Sequence, residues 1–244
     1  MKSLLFLFLM ILFALPSFAQ KKKKKRQAEE AQQEQQLVEP KSAKDSIDLK
    51  VFDLAVEHGD YQTAIHALYY IMAKDPEESY LDSLATLYYI NGSYVQAIIV
   101  GRKHLDKHPV DTGMLELVAT AEQEVGRLKE SLALYEKLHL LTGSPYYQYQ
   151  VAVLQYNLKR YGEGMSTVQK ILQDPASRNE QVQIQISQSE AQNVPLQAAS
   201  YNLAGIIMMD LKEKEKALEN FENAIRIFPE FVLARKSLET LKKQ

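Results

Sequence analysis

The sequence contains no cysteine among its 244 residues. That excludes disulfides, thiolate metal sites, a cysteine nucleophile and a lipid-bearing cysteine. Tryptophan is also absent, and there are only nine glycines. No Gly-rich phosphate loop, His-Glu-x-x-His or Gly-x-Ser-x-Gly occurs, so the usual constellations of nucleotide, metalloprotease and serine-hydrolase chemistry are missing. The longest apolar run, Leu4–Leu15, has about a dozen residues, short of the ~20 needed to cross a bilayer. Histidines stand at 58, 66, 104, 108 and 139. Only His104 and His108 could share a helix face as metal ligands, and no third ligand lies near them in sequence. His108, beside Pro109, suits the negative end of a helix instead. The expectation is no enzyme activity, no cofactor and no metal.

Charge is uneven along the chain. Seven of the 29 basic residues lie within the first 40 positions, leaving 22 for residues 41–244; four of the 31 acidic residues lie there, leaving 27. The main body is therefore about −5, which argues against nucleic acid as a partner.

Residues 1–19 read as a secretory signal peptide, with Lys2, the apolar core and a Ser17-Phe18-Ala19 cleavage site. Cleavage leaves Gln20 first, no transmembrane helix, and an exported protein of the bacterial periplasm or envelope, or a secreted one. Six positive charges at Lys21–Arg26 oppose translocation, and the alternative is an uncleaved anchor with the body in the cytoplasm. Residues 20–44 form a polybasic, then Gln/Glu-rich, flexible linker. Its basic run is either a weak electrostatic contact to an anionic surface or a solvated tail.

Gly59-Asp60-Tyr61-Gln62-Thr63-Ala64 is echoed 33 residues later by Gly92-Ser93-Tyr94-Val95-Gln96-Ala97, and Pro76 by Pro109. Such a period marks a helix–turn–helix array. Small and aromatic positions align as units at about 45–77, 78–110, 111–144, 145–175 and 198–230. In the second, Leu81, Leu84, Ala85 and Tyr88 form one helix face and Gly92 stops the helix. Between units four and five, residues 176–197 include Val182, Ile184 and Ile186 alternating with glutamines. That is a strand period, so these residues are expected to form a β-hairpin, the alternative being an irregular loop. Phe231–Lys243 places Val232, Leu233, Leu238 and Leu241 on one face of a final helix, residues 231–243, that caps the array.

The pattern resembles the tetratricopeptide repeat (TPR) family. The fifth unit carries it best, with Tyr201-Asn202-Leu203-Ala204-Gly205, Ala217, Phe221 and Pro229. Its departures include Tyr201 for tryptophan, Met208 for tyrosine, His104 for alanine, and Ser131 or Gly164 for alanine. The resemblance implies an all-α, right-handed α-solenoid of about five repeats over residues 45–244. It also implies a non-enzymatic scaffold that binds protein or peptide along a concave groove lined by the first helix of each unit. Carried across by register, the groove residues are Asp53, Glu57, Asp82, Thr86, Tyr89, Glu116, Thr120, Tyr149, Tyr156, Asn157, Asn202 and Met209. The Lys/Asn clamp that grips C-terminal carboxylates in one sub-family is missing, since Leu49 and Asp53, Asp82 and Thr86, and Glu116 and Thr120 occupy those positions. An acidic N-terminal half and a tyrosine-rich C-terminal half favour a partner with basic and apolar character. Some of the tyrosines could instead pack between helices. The alternative function is a surface-tethered structural or assembly component attached through Lys21–Arg26.

Overall fold

A computed structural model describes residues 47–74, 80–187 and 189–243. The signal peptide, the basic run and the whole of the linker lie outside the described residues, as does Pro76. The described chain falls into two compact units, residues 47–142 and 143–243. Eleven α-helices occur among the described residues. The fold class is all-α, built of helix–turn–helix pairs of the solenoid type.

The N-terminal unit contains α1 (Ile47–Glu57), α2 (Tyr61–Lys74), α3 (Leu81–Ile90), α4 (Tyr94–Lys107), α5 (Thr112–Glu124) and α6 (Leu128–Thr142). Each odd-numbered helix packs on the even-numbered helix that follows it, and α4 also packs on α5. The turn inside each pair repeats one geometry. A backbone N–H reaches back five residues, from Asp60 to Ala55, Ser93 to Tyr88 and Arg127 to Glu122, at 2.8 Å in each case. This closure needs a left-handed residue, supplied by Gly59, Gly92 and Gly126 with φ of 70°, 73° and 77°. At the start of α5, the Asp111 carboxylate accepts the Met114 N–H at 3.0 Å, capping the helix.

The C-terminal unit contains α7 (Pro145–Asn157), α8 (Tyr161–Gln173), a 3₁₀ turn (Pro175–Asn179), β1 (Gln181–Gln185), β2 (Ala191–Pro195), α9 (Leu196–Asp210), α10 (Lys214–Ile227) and α11 (Val232–Lys242). The same turn recurs, with Arg160 N–H on Gln155 and Glu213 N–H on Met208. Here the left-handed residues are Lys159 and Lys212, with φ of 60° and 64°. Lysine in that conformation costs about 1–2 kcal/mol. The glycine stop that reads so clearly in the first three units is therefore absent from the last two, although the turn is kept.

The expected hairpin is present. β1 and β2 pair antiparallel, from Gln181 opposite Pro195 to Gln185 opposite Ala191, which puts Pro195 at a strand end where its missing N–H is harmless. Val182, Ile184 and Val194 are buried with Val168, Ile171 and Leu196, so the hairpin adds to the core of this unit. Ile186 lies past the strand and is only partly buried. The Gln192 side chain donates to the Glu230 carbonyl at 2.7 Å and accepts from the Val232 N–H at 3.2 Å, fixing the start of α11. That helix buries Ala234 and Leu241, with Phe231 fully buried at its N-cap. Val232, expected on the inward face, points out and is 44 % exposed. Val232 stands nine residues before Leu241, about 180° around the helix, so the two cannot share a face; Ala234, seven residues before Leu241, takes the inward place.

Candidate binding face

The first helix of each pair is short on charge of one sign. Among α1, α3 and α5 there are seven acidic residues and one basic residue, Lys50. Asp48 and Glu122 sit in ion pairs. Asp48 pairs with Lys74. Glu122 is fully buried, accepts from Arg102 Nη2 at 2.6 Å and lies 3.6 Å from Arg127. The remaining five are Asp53, Glu57, Asp82, Glu116 and Glu124.

Asp53 and Glu57 lie exposed on α1. Asp82 and Thr86 are half-buried on α3, and the Thr86 hydroxyl turns back to the Asp82 carbonyl at 2.8 Å. Thr120 is buried; its hydroxyl bonds the Glu116 carbonyl at 2.9 Å and lies 3.0 Å from the Tyr135 hydroxyl. Buried there, the Thr120 hydroxyl ties its own helix to Tyr135 of the next. Tyr89 is half-buried, and its ring meets Tyr94 edge-on at 5.4 Å. Burial, and then the negative charges of Glu124, Tyr94 and Glu116, hold the Tyr89 phenol well above its ordinary range. Burial and Glu124 raise Tyr94 likewise. The N-terminal unit thus gathers two tyrosines and two glutamates around one place.

The C-terminal unit repeats that arrangement. Tyr156 and Tyr161 have ring centroids 6.0 Å apart, and the Tyr161 hydroxyl donates to Asp210 at 3.3 Å. Burial, then the Asp210 charge and its hydrogen bond, raise the Tyr156 phenol. Tyr94 follows Tyr89 by five residues and Tyr161 follows Tyr156 by five, so each pair spans one helix–helix turn. Glu124 and Asp210 both close the first helix of the next pair. The groove positions carried across by register do not include Tyr94 or Tyr161. The signal that could have found them is this shared spacing across the turn.

Four further expected residues divide. Asn157 is exposed and Met209 half-buried at the ends of α7 and α9. Tyr149 is 2 % exposed and Asn202 3 %. Tyr149 packs with Ala152, Val153 and Val168, the interhelical role that the sequence left open. Asn202 is as deep, yet its Oδ1 has no hydrogen-bond partner among the described residues. A buried orphan acceptor costs about 1–3 kcal/mol.

The two histidines four residues apart have a structural use. His104 Nε2 lies 2.9 Å from Asp111 Oδ2, the carboxylate that caps α5, and its ring stacks on His108 at 4.7 Å. Burial opposes ionisation of Asp111, but the Met114 N–H and His104 outweigh it and hold the carboxyl below its usual value. Among the described residues no group of three or more histidines and carboxylates could hold a metal. No described helix is long and apolar enough to cross a membrane.

No family model matches the sequence, and no curated protein matches it either. Solved structures do share its fold. YrrB, described as a TPR protein with an unusual peptide-binding site, aligns at a TM-score of 0.59 and 17 % identity over 90 % of this chain and 97 % of its own. A MamA protein aligns at 0.58 and 14 % identity over 75 % of this chain and 90 % of its own. MamA from Desulfovibrio magneticus RS-1, from residue 41 onward, aligns at 0.52 and 14 % identity over 67 % and 82 %. The helix pairs, their recurrent turn and these neighbours agree with the family that the repeat register resembles, and the fold of this chain is the tetratricopeptide repeat fold.

Proposed function

We propose that the protein is a non-enzymatic interaction scaffold of the bacterial periplasm or envelope. It binds a peptide or protein with basic and apolar side chains on the faces of the first helices. The grouping of two tyrosines with carboxylate, built once in each unit, carries this reading. An aromatic face beside a carboxylate attracts a lysine or arginine side chain through ring quadrupole and charge together. A peptide-binding site in YrrB supports a partner of this class. Export rests on residues 1–19, and osmotic-shock fractionation of the producing cell tests it.

In-cell crosslinking followed by identification of captured proteins tests the binding reading. Tyr89→Ala and Tyr156→Ala together should reduce capture about tenfold, from two lost aromatic anchors. Both side chains are partly exposed, so the helices survive the change. Unchanged capture would remove the tyrosine faces from the binding site. Tyr149 is unsuitable for this test because its removal opens a core cavity.

A further inference from the structure

The positions that join one repeat to the one before it show what the first repeat lacks. In α3, Tyr80 at its N-cap, Leu84 and Leu87 are buried against the core of α1 and α2. In α5, Met114, Val118 and Ala121 are buried in one cluster with Ala97 and Ile98 of α4. In α9, Ser200, Ala204 and Ile207 are buried, the last two beside Val168 and Ile171 of α8. Counted back from the left-handed turn residue of each unit, Gly92, Gly126 or Lys212, these are the positions 12, 8 and 5 residues before it. The same positions in the first unit are Ile47, Val51 and Leu54. All three are apolar and lie along one helix face, yet they are 73 %, 41 % and 55 % exposed.

The first described helix therefore carries the chemistry of a unit-to-unit interface with no unit before it among the described residues. The last helix is finished differently. α11 buries Ala234 and Leu241 and turns Arg235, Lys236 and Glu239 outward, as a solvated cap does. A head-to-tail stack would press the apolar stripe onto that charged face, which is unfavourable. Residues 27–46 of the chain are too polar to supply a matching stripe, with only Leu37 and Val38 as large apolar residues.

We infer that the exposed face of α1 is a self-association surface, covered by the same face of a second copy of this chain. A two-fold pairing uses one patch twice, so an apolar stripe meets an apolar stripe. The rim charges suit that arrangement. Lys50 and Glu57 are exposed and seven residues apart, hence on one side of the stripe. With antiparallel helices and a two-fold axis between Val51 and Leu54, Val51 of each copy opposes Leu54 of the other. Lys50 then lies within one helical turn of Glu57 across the axis, and the contact forms twice. Three side chains per copy cover less than the ~800 Å² per partner of a stable interface. The dimer is accordingly weak, and it forms at high local concentration.

The absence of cysteine makes the test clean. In the full chain, Leu54→Cys with a short bismaleimide should give a crosslinked dimer. Lys236→Cys, on the outer face of α11, should give at least about tenfold less. Sedimentation velocity over a concentration series should show Val51→Lys/Leu54→Lys weakening self-association about tenfold or more. Both residues are exposed, so circular dichroism should be unchanged. Lys50→Glu alone should weaken the dimer, and Lys50→Glu/Glu57→Lys should restore it. Equal crosslinking at 54 and 236, or sedimentation indifferent to the paired lysines, overturns the inference. So does crosslinking at residue 54 in the producing cell that captures a different protein in place of a second copy.

Discussion

Replacing Gly205 with alanine should destabilise the C-terminal unit, although alanine is the better helix former. Gly205 lies inside α9, where an exposed glycine-to-alanine change would gain about 1 kcal/mol. Its added Cβ, however, would stand 2.5, 2.7 and 2.9 Å from Cε1, Cδ1 and Cζ of Phe221. Ordinary contact begins near 3.4 Å, so three ring atoms are overlapped at once. Phe221 on α10 is fully buried in one cluster with Ala217 and Leu241, so its ring can move only by displacing packed neighbours. Overpacking of a tight core costs about 1–3 kcal/mol, and this geometry belongs at the upper end. Subtracting the helix gain leaves a net loss of about 1–2 kcal/mol. At ~2–4 °C per kcal/mol for a chain of this length, Tm should fall by roughly 2–8 °C. Gly162, on α8, has nothing within 4 Å of the place a Cβ would take, and Gly162→Ala should raise Tm slightly. Thermal melts followed by circular dichroism, with hydrogen exchange reading α9 and α10 separately, make the comparison. Gly205→Ala combined with Phe221→Leu should cost less than the two changes summed, because the smaller side chain clears the methyl. A Gly205→Ala protein as stable as the original, or strict additivity in the double variant, would refute the argument.

Other expectations follow from single features. Lys159→Gly and Lys212→Gly should each stabilise their turn by about 0.5–1 kcal/mol in urea unfolding, since glycine relieves the left-handed conformation but loses more chain entropy. Arg102→Met should cost about 2–4 kcal/mol, because it leaves the fully buried Glu122 carboxylate with only Arg127 at 3.6 Å; adding Glu122→Gln should recover part of the loss. Burial, then the hydrogen bond and charge of Tyr69, push the Tyr88 phenol up to about 12. A raised phenol pKa means that its stabilising contribution is present below about pH 10 and lost as pH rises through 12. Ultraviolet titration should show Tyr88 ionising earlier in a Tyr69→Phe variant. Asp111 behaves oppositely. Its carboxyl is held low, so its contribution is intact above the ordinary aspartate range and lost as pH falls below it. Asp111→Asn should flatten the acid limb of the unfolding curve.

The fold was legible because its determinants repeat. Each helix pair needs a small residue where the helices cross and a turn that reverses the chain, and both recur at one spacing in the sequence. The hairpin was legible too, since Val182 and Ile184 alternate with glutamines and only a half-buried strand has that period. The candidate site was harder because register fixes where a residue stands on a helix and not how deep its side chain lies. Tyr149 and Tyr89 both occupy first-helix positions assigned to the groove. Tyr149 is enclosed by Ala152, Val153 and Val168, whereas Tyr89 stops at half-burial against Tyr94. That difference comes from neighbours on other helices, which a linear pattern does not report. The same reasoning explains the stripe on α1. Ile47, Val51 and Leu54 are apolar like Tyr80, Leu84 and Leu87, which hold the same turn-relative positions one unit later and are buried. Exposure distinguishes them, because it depends on whether another unit precedes. A repeat pattern therefore specifies both halves of every internal joint, and at the first unit it specifies half of a joint whose other half must come from outside the described array.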